Sequence, residues 1–158
     1  MAKVRTCLWF ATDGAQAVER YVSLVPDSRM EHVQKSPGPW PGGRAGDVIV
    51  IDFTLGGQGY QALNGGTREA YGHVASISVS CADQAEVDRL WSALLEGGGA
   101  EMQCGWLHDR WGVPWQIVPE VLPRLMRHED AAVAGRVFAA MSSMVKLDVA
   151  ALERAAKG

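Results

Sequence analysis

The chain repeats itself, and a repeat of this kind leaves few folds open. Asp13-x-Ala15 and Asp83-x-Ala85 stand at the same point of a strand-to-helix passage, and Val18 and Arg20 are answered, one residue earlier in the helix, by Val87 and Arg89. Tyr60-Gln61-Ala62-Leu63, closing the first half, resembles Trp115-Gln116-Ile117-Val118, closing the second. Each half is too small to bury a core alone. The spacing predicts two copies of a strand, a helix and a short antiparallel set, paired as one curved sheet with helices outside and a hollow within.

The local signals agree with that frame. Val4 to Phe10 is apolar and β-favouring, and Asp13-Gly14-Ala15-Gln16 reads as an Asp N-cap with Gln three residues on. Val18, Tyr21, Val22 and Val25 follow at helical spacing until Pro26. Arg29 to Lys35 suits a strand, and Ser36 to Gly43, rich in Pro and Gly, suits a loop bearing Trp40. Asp47 to Leu55 and Gln58 to Asn64 flank Gly56-Gly57 as a hairpin. In the second half Ser76 to Ser80 alternates as a strand, and Asp83 caps a helix with the stripe Val87, Leu90, Trp91, Leu94 and Leu95. Glu101 to His108 and Val113 to Val118 form the last hairpin. Its stretch Cys104 to Pro119, with Trp106, Trp111 and Trp115, reads as the closing hairpin of a ligand cup. Beyond Pro119 the pattern turns helical: Pro123 in a first turn, a Val133, Val137, Met141, Met144, Val145 stripe from an Asp130 cap, and a last helix capped at Asp148. That stripe either packs back on the domain or meets a second subunit.

Composition narrows the function classes. A formal charge of -3 and 15 scattered Lys and Arg supply no basic field for nucleic acid. No apolar run reaches the length of a membrane span, and the N-terminus lacks a signal-peptide core, which points to the cytoplasm. Cys7, Cys81 and Cys104 share no close pair, as expected of reduced thiols rather than a disulfide frame or zinc knuckle.

Several residues invite chemistry and are outweighed by plainer roles. Gly57-x-Gly59-x-x-Ala62 matches a loose dinucleotide pattern, yet it enters a strand rather than a helix, so a hairpin turn is the expectation. Cys104 and His108, in an extended strand, stand more than ~12 Å apart at about 3.3 Å per residue, and a buried structural thiol is expected instead of a catalytic pair. His108-Asp109 suits a turn. Trp106, Trp111 and Trp115 suit core or dimer contacts, with one of them a candidate for the cup wall. Trp40 is either a lid or a loop anchor, and Asn64 either positions a ligand or serves the turn before Gly65-Gly66.

Cys7-Leu8-Trp9-Phe10, Ala62-Leu63-Asn64-Gly65-Gly66, Asp83-x-x-Glu86-Val87-Asp88-Arg89-Leu90-Trp91, Cys104-Gly105-Trp106-Leu107 and Trp115-Gln116-Ile117-Val118-Pro119 together resemble the PhnB-like proteins of the vicinal oxygen chelate superfamily, the glyoxalase, bleomycin-resistance and dioxygenase fold. Many of these carry the label 3-demethylubiquinone 3-methyltransferase. The resemblance implies an α+β fold of paired βαβββ modules forming a cupped mixed sheet, with C-terminal helices. It implies a domain over residues 1–120 made of modules at about 1–66 and 72–120, with a helical extension over 121–158 on the domain or on a dimer partner. Superfamily enzymes hold a divalent metal with His, Glu or Gln from the first and last strands of each module. Carried over, those positions fall near Thr6, Gln61, Ser76 and Gln116. Hydroxyls and amides are poor ligands for zinc, iron or nickel, and His73 supplies at most one ligand.

The expectation is therefore a cytoplasmic homodimer that binds a small, partly apolar molecule. No cofactor or tightly held metal is expected, and neither nucleic acid nor membrane as partner. The ligand pocket is assigned to Thr6, Gln61, Asn64, Ser76, Trp106 and Gln116, with no catalytic residue assigned. The alternative is a lyase, isomerase or dioxygenase-like enzyme, with or without metal. The methyltransferase label is taken as nominal.

Overall fold

Leu8 and Phe10 are buried while Cys7 and Trp9 are exposed, the period of two expected of a strand with one covered face. In the computed structural model, which describes residues 3–158, the chain divides into two units, residues 1–70 and 71–158. The first contains β1 (Thr6–Phe10), α1 (Gly14–Leu24), β2 (Arg29–Lys35), β3 (Val48–Leu55) and β4 (Gln58–Asn64). Its sheet runs β1-β4-β3-β2, with β1 parallel to β4 and the other pairs antiparallel. Ile51, Phe53, Leu55, Tyr60 and Ala62 are buried on the face that α1 covers with Ala17, Val18 and Tyr21. Burial of each large side chain is worth about 1.5–3 kcal/mol. Gly56 (φ 55) and Gly57 (φ 81) both have positive φ, as the tight turn between β3 and β4 demands, and β4 runs on without entering a helix.

The start of α1 differs from the Asp-cap expectation. Asp13 makes no side-chain cap bond: Arg68 meets its Oδ2 at 3.2 Å, and its Oδ1 is buried without a hydrogen-bond partner. Asn64 Oδ1 accepts from Gly14 N–H instead, at 2.9 Å, while Asn64 Nδ2 donates to Val48 O. Trp40 behaves as a loop anchor: it is bridged to Gly43, and its ring lies so close to Gly42 that a Cβ there would stand 2.4 Å away.

The second unit repeats the pattern with β5 (Ile77–Cys81), α2 (Gln84–Leu95), β6 (Ala100–Glu101), β7 (Trp106–His108) and β8 (Pro114–Pro119). The order β5-β8-β7-β6, with β5 parallel to β8, is that of the first sheet. Ile77, Cys81, Leu107, Trp115 and Ile117 are buried, as are Val87, Leu90, Trp91 and Leu94 of α2. Asp83 caps α2 as expected, accepting from Glu86 N–H at 2.9 Å, and Glu86 reaches back to Ala82 N–H. Asp109 organises the β7–β8 turn. Its Oδ1 accepts from Trp111 and Val113 N–H and its Oδ2 accepts from Trp115 Nε1, while Asp109 itself is 4% exposed.

Two expectations need correction here. The strand foreseen over Glu101 to His108 is broken: Cys104 has φ 60, and β6 and β7 are separate pieces. The cause lies outside the strand, because Cys104 and Gly105 N–H donate to the Met144 and Val145 carbonyls. Gly105 is required there, since its φ is 81 and a Cβ would stand 2.8 Å from Leu147. The distant stripe also extends too far, for α4 (Ala131–Ser142) ends before Met144 and Val145.

With α3 (Val121–Met126) and α5 (Val149–Lys157), α4 forms a core of Val121, Leu122, Val137, Leu147 and Leu152. Met141 and Met144 pack against it, so these methionines are engaged within their own unit. No helix among the described residues is long and apolar enough to cross a membrane.

Candidate functional site

The strand registers set up two neighbouring ladders on the face of the first sheet turned away from α1. One reads His32, Asp52, Gln61, Cys7 across β2, β3, β4 and β1. The next reads Gln34, Val50, Leu63, Trp9. A polar row therefore runs beside a largely apolar one.

Asp52 is the centre of the polar row. Gln61 Nε2 donates to its Oδ1 at 2.9 Å, and the Arg5 guanidinium meets the same oxygen at 2.7 Å. The Gln61 hydrogen bond, followed by the hydrogen bond and charge of Arg5, holds the Asp52 carboxyl below its ordinary range against the opposing effect of burial. Over this end of the sheet lies a cavity of about 520 Å³ bordered by Arg5, Arg29, His32, Asp52 and Thr54. Glu31 stands at its edge, accepting from Thr54 Oγ1 at 2.7 Å and pairing with Arg29 at 2.8 Å. The volume lies within the range of small-molecule sites, about 300–1,000 Å³. Two carboxylates, two guanidiniums and an imidazole can together hold a ligand that carries hydrogen-bonding or charged groups.

Of the residues assigned from the sequence, only Gln61 belongs to this face. Thr6 pairs with Tyr60 and shares the parity of Leu8 and Phe10, so Cys7 takes the place beside Gln61 that Thr6 was expected to hold. Asn64 is 2% exposed and both ends of its amide are bound to backbone, which gives it a scaffold role. Arg5, His32 and Asp52 were missed, although the alternation of β3 around buried Ile51 and Phe53 already marks position 52 as facing away from the helix.

The second sheet brings the other three together. Gln116 Nε2 donates to Ser76 Oγ at 2.9 Å, and Trp106 pairs with Gln116 across β7 and β8. His73 stands edge-on to Trp106, with ring centroids 6.2 Å apart, and stacks on His108 at 5.4 Å. His108 Nε2 is buried without a hydrogen-bond partner. Val118, next along this face of β8, packs against the helical extension.

The divalent metal of the superfamily can be tested against these donors. The two amides nearest the expected positions are engaged with Asp52 and Ser76. Among the described residues, no three His, Cys, Asp or Glu side chains are grouped to hold an ion. Amides and hydroxyls do not meet the preference of zinc, iron or nickel for imidazole, thiolate or carboxylate. These residues do not fit the metal.

Comparison with known proteins agrees with the topology. A solved structure of the PhnB protein from Bacillus cereus is 27% identical, with TM-score 0.66, and the match covers 75% of this chain and 99% of that one. Protein PA1353 from Pseudomonas aeruginosa is 23% identical over 76% of this chain and 98% of its own, with TM-score 0.61. The fosfomycin resistance protein FosX from Mesorhizobium loti shares the fold at 17% identity and TM-score 0.53, over 80% of this chain and 100% of its own. No curated protein matches the chain. The family profile described as 3-demethylubiquinone-9 3-methyltransferase matches residues 2–118. The chain thus belongs to that family, the PhnB-like branch of the vicinal oxygen chelate fold.

Proposed function

We propose that this protein binds a small, partly apolar molecule bearing a polar or charged group, and does so without a tightly held metal. The observation that carries the reading is the Arg5–Asp52–Gln61 constellation beside a cavity of about 520 Å³. In this reading the polar group of the ligand meets Asp52, Arg5 and His32, and its apolar part lies along Val50, Leu63 and Trp9. A carboxylate whose proton affinity is lowered is a weak base, so Asp52 suits holding a hydrogen-bond donor better than removing a proton from carbon. Ser76, Trp106 and Gln116 are proposed as a second patch of ligand contacts. The proposal includes a homodimer, tested by a solution mass of twice 17.0 kDa.

Methyl transfer from S-adenosylmethionine is not part of the proposal, because the glycine pattern at Gly57 and Gly59 is a hairpin turn and offers no helix N-terminus to a phosphate or nucleotide. A thermal-shift screen of polar metabolites and drug-like amphiphiles, repeated with Asp52→Ala, tests the reading. Ligands that stabilise the wild type and not the variant support it. A hit list indifferent to Asp52, stoichiometric zinc, nickel, manganese or iron in the purified protein, or calorimetric binding of S-adenosylmethionine would replace it with an enzyme or with a different site.

A further inference from the structure

Residues 119–158 lie beyond the part of the chain that the family profile matches. The three helices there border an open cleft of about 310 Å³. Its floor is apolar: Val121 from α3 is 8% exposed, Val133 from α4 is 9% exposed, and half-buried Leu125 and Ala156 complete it. Its rim carries two cations, Arg124 from α3 and Lys157 from α5. Among the described residues neither has a carboxylate within ion-pair distance. His128 joins the rim, and its Nδ1 accepts from Asp130 N–H at 3.1 Å, which leaves Nε2 to carry the proton as a donor. The single acidic rim residue is Glu153. It precedes Lys157 by four residues on α5, yet the two are not within ion-pair distance.

An apolar floor under two unpaired cations and a donor imidazole is complementary to one class of ligand. We propose that the helical extension binds a small aliphatic or single-ring carboxylate, its body on Val121, Leu125 and Val133 and its anionic head between Arg124, Lys157 and His128. At about 30 Å³ per water the cleft covers on the order of ten water-sized groups, about the bulk of a medium-chain acid. Glu153 opposes the carboxylate, so its neutralisation should tighten binding.

Octanoate is the probe, titrated into the full chain by calorimetry and mapped by amide chemical shifts, with 1-octanol as the uncharged control. Saturable octanoate binding is expected to perturb the amides of Val121, Leu125, Val133 and Ala156, with octanol binding more weakly. The double variant Arg124→Gln/Lys157→Gln should weaken octanoate by about tenfold or more, the loss expected for charge-assisted contacts, and Glu153→Gln should tighten it severalfold. All three substitutions are at exposed positions, and an unchanged melting temperature verifies folding. No saturable binding, shifts confined to the first unit, equal affinity of the double variant, or octanol binding as tightly as octanoate would each overturn the proposal.

Discussion

Asn64 closes the N-terminus of a helix fifty residues before it: its Oδ1 accepts the Gly14 N–H at 2.9 Å in a buried contact. The same closeness excludes a larger residue at position 14, where a Cβ would stand 2.8 Å from Asn64 Oδ1 and 3.1 Å from the Phe10 ring. Asn64→Ala should cost about 2 kcal/mol through the orphaned Gly14 donor. Gly14→Ala should cost about 1–3 kcal/mol through overpacking, despite the higher helix propensity of alanine. Urea denaturation checks both, and a neutral result for either would show that the end of α1 relaxes freely.

Asp109 satisfies two backbone donors and the Trp115 indole from a nearly sealed position. Asp109→Ala removes the carboxylate that accepts from all three, at about 1–3 kcal/mol for each bond lost before relaxation. A destabilisation of about 3–5 kcal/mol is therefore expected. Loss of the near-ultraviolet tryptophan signal at lower denaturant, compared with Asp109→Asn, measures it.

The lowered pKa of Asp52 makes a statement about acid stability. The folded chain holds this proton less tightly than the unfolded chain does, so between the folded value and the ordinary one near ~3.9 the unfolded state binds more protons. The stabilisation is full at neutral pH and is lost as pH falls through the folded value. Asp52→Asn should cost about 1–2 kcal/mol at pH 7 and lose that difference in acid. Denaturation midpoints that stay parallel from pH 7 to pH 3 would refute the linkage.

Burial pushes the Cys81 thiol up to about 12, and nearby Glu86 adds to the effect. At pH 8 its thiolate fraction is on the order of 10⁻⁴. Burial raises the Cys7 thiol too, yet Cys7 is exposed, so access favours it. Ellman's reagent should modify Cys7 in the native protein and reach Cys81 only on unfolding. Cys7→Ser should remove that native reaction.

What could be read from the residues depended on how far the partner lay. The Asp83 cap was legible because its partner, Glu86, is three residues on. Asn64 was ambiguous because Gly14 is a partner only after the strands have met. The strands themselves followed from alternation, but the site turned on a single residue of parity: Thr6 and Cys7 point to opposite faces, and buried Leu8 and Phe10 decide between them. The break at Cys104 was hidden for the same reason as Asn64, since the Met144 carbonyl that holds it belongs to a distant loop. Trp106 and Gln116 come together through the pairing of β7 with β8, and Ser76, just ahead of β5, reaches Gln116 by a side-chain hydrogen bond.

The two helix starts also carry a temporal order. Asp83 can engage Glu86 as soon as that short segment is made, whereas the acceptor for Gly14 arrives only after the chain has closed a span of fifty residues. Closing such a span costs entropy before any contact repays it. α2 thus has its first acceptor in the adjoining residues, whereas α1 gains its own only when β4 docks, so two near-copies of one motif secure their helix starts differently.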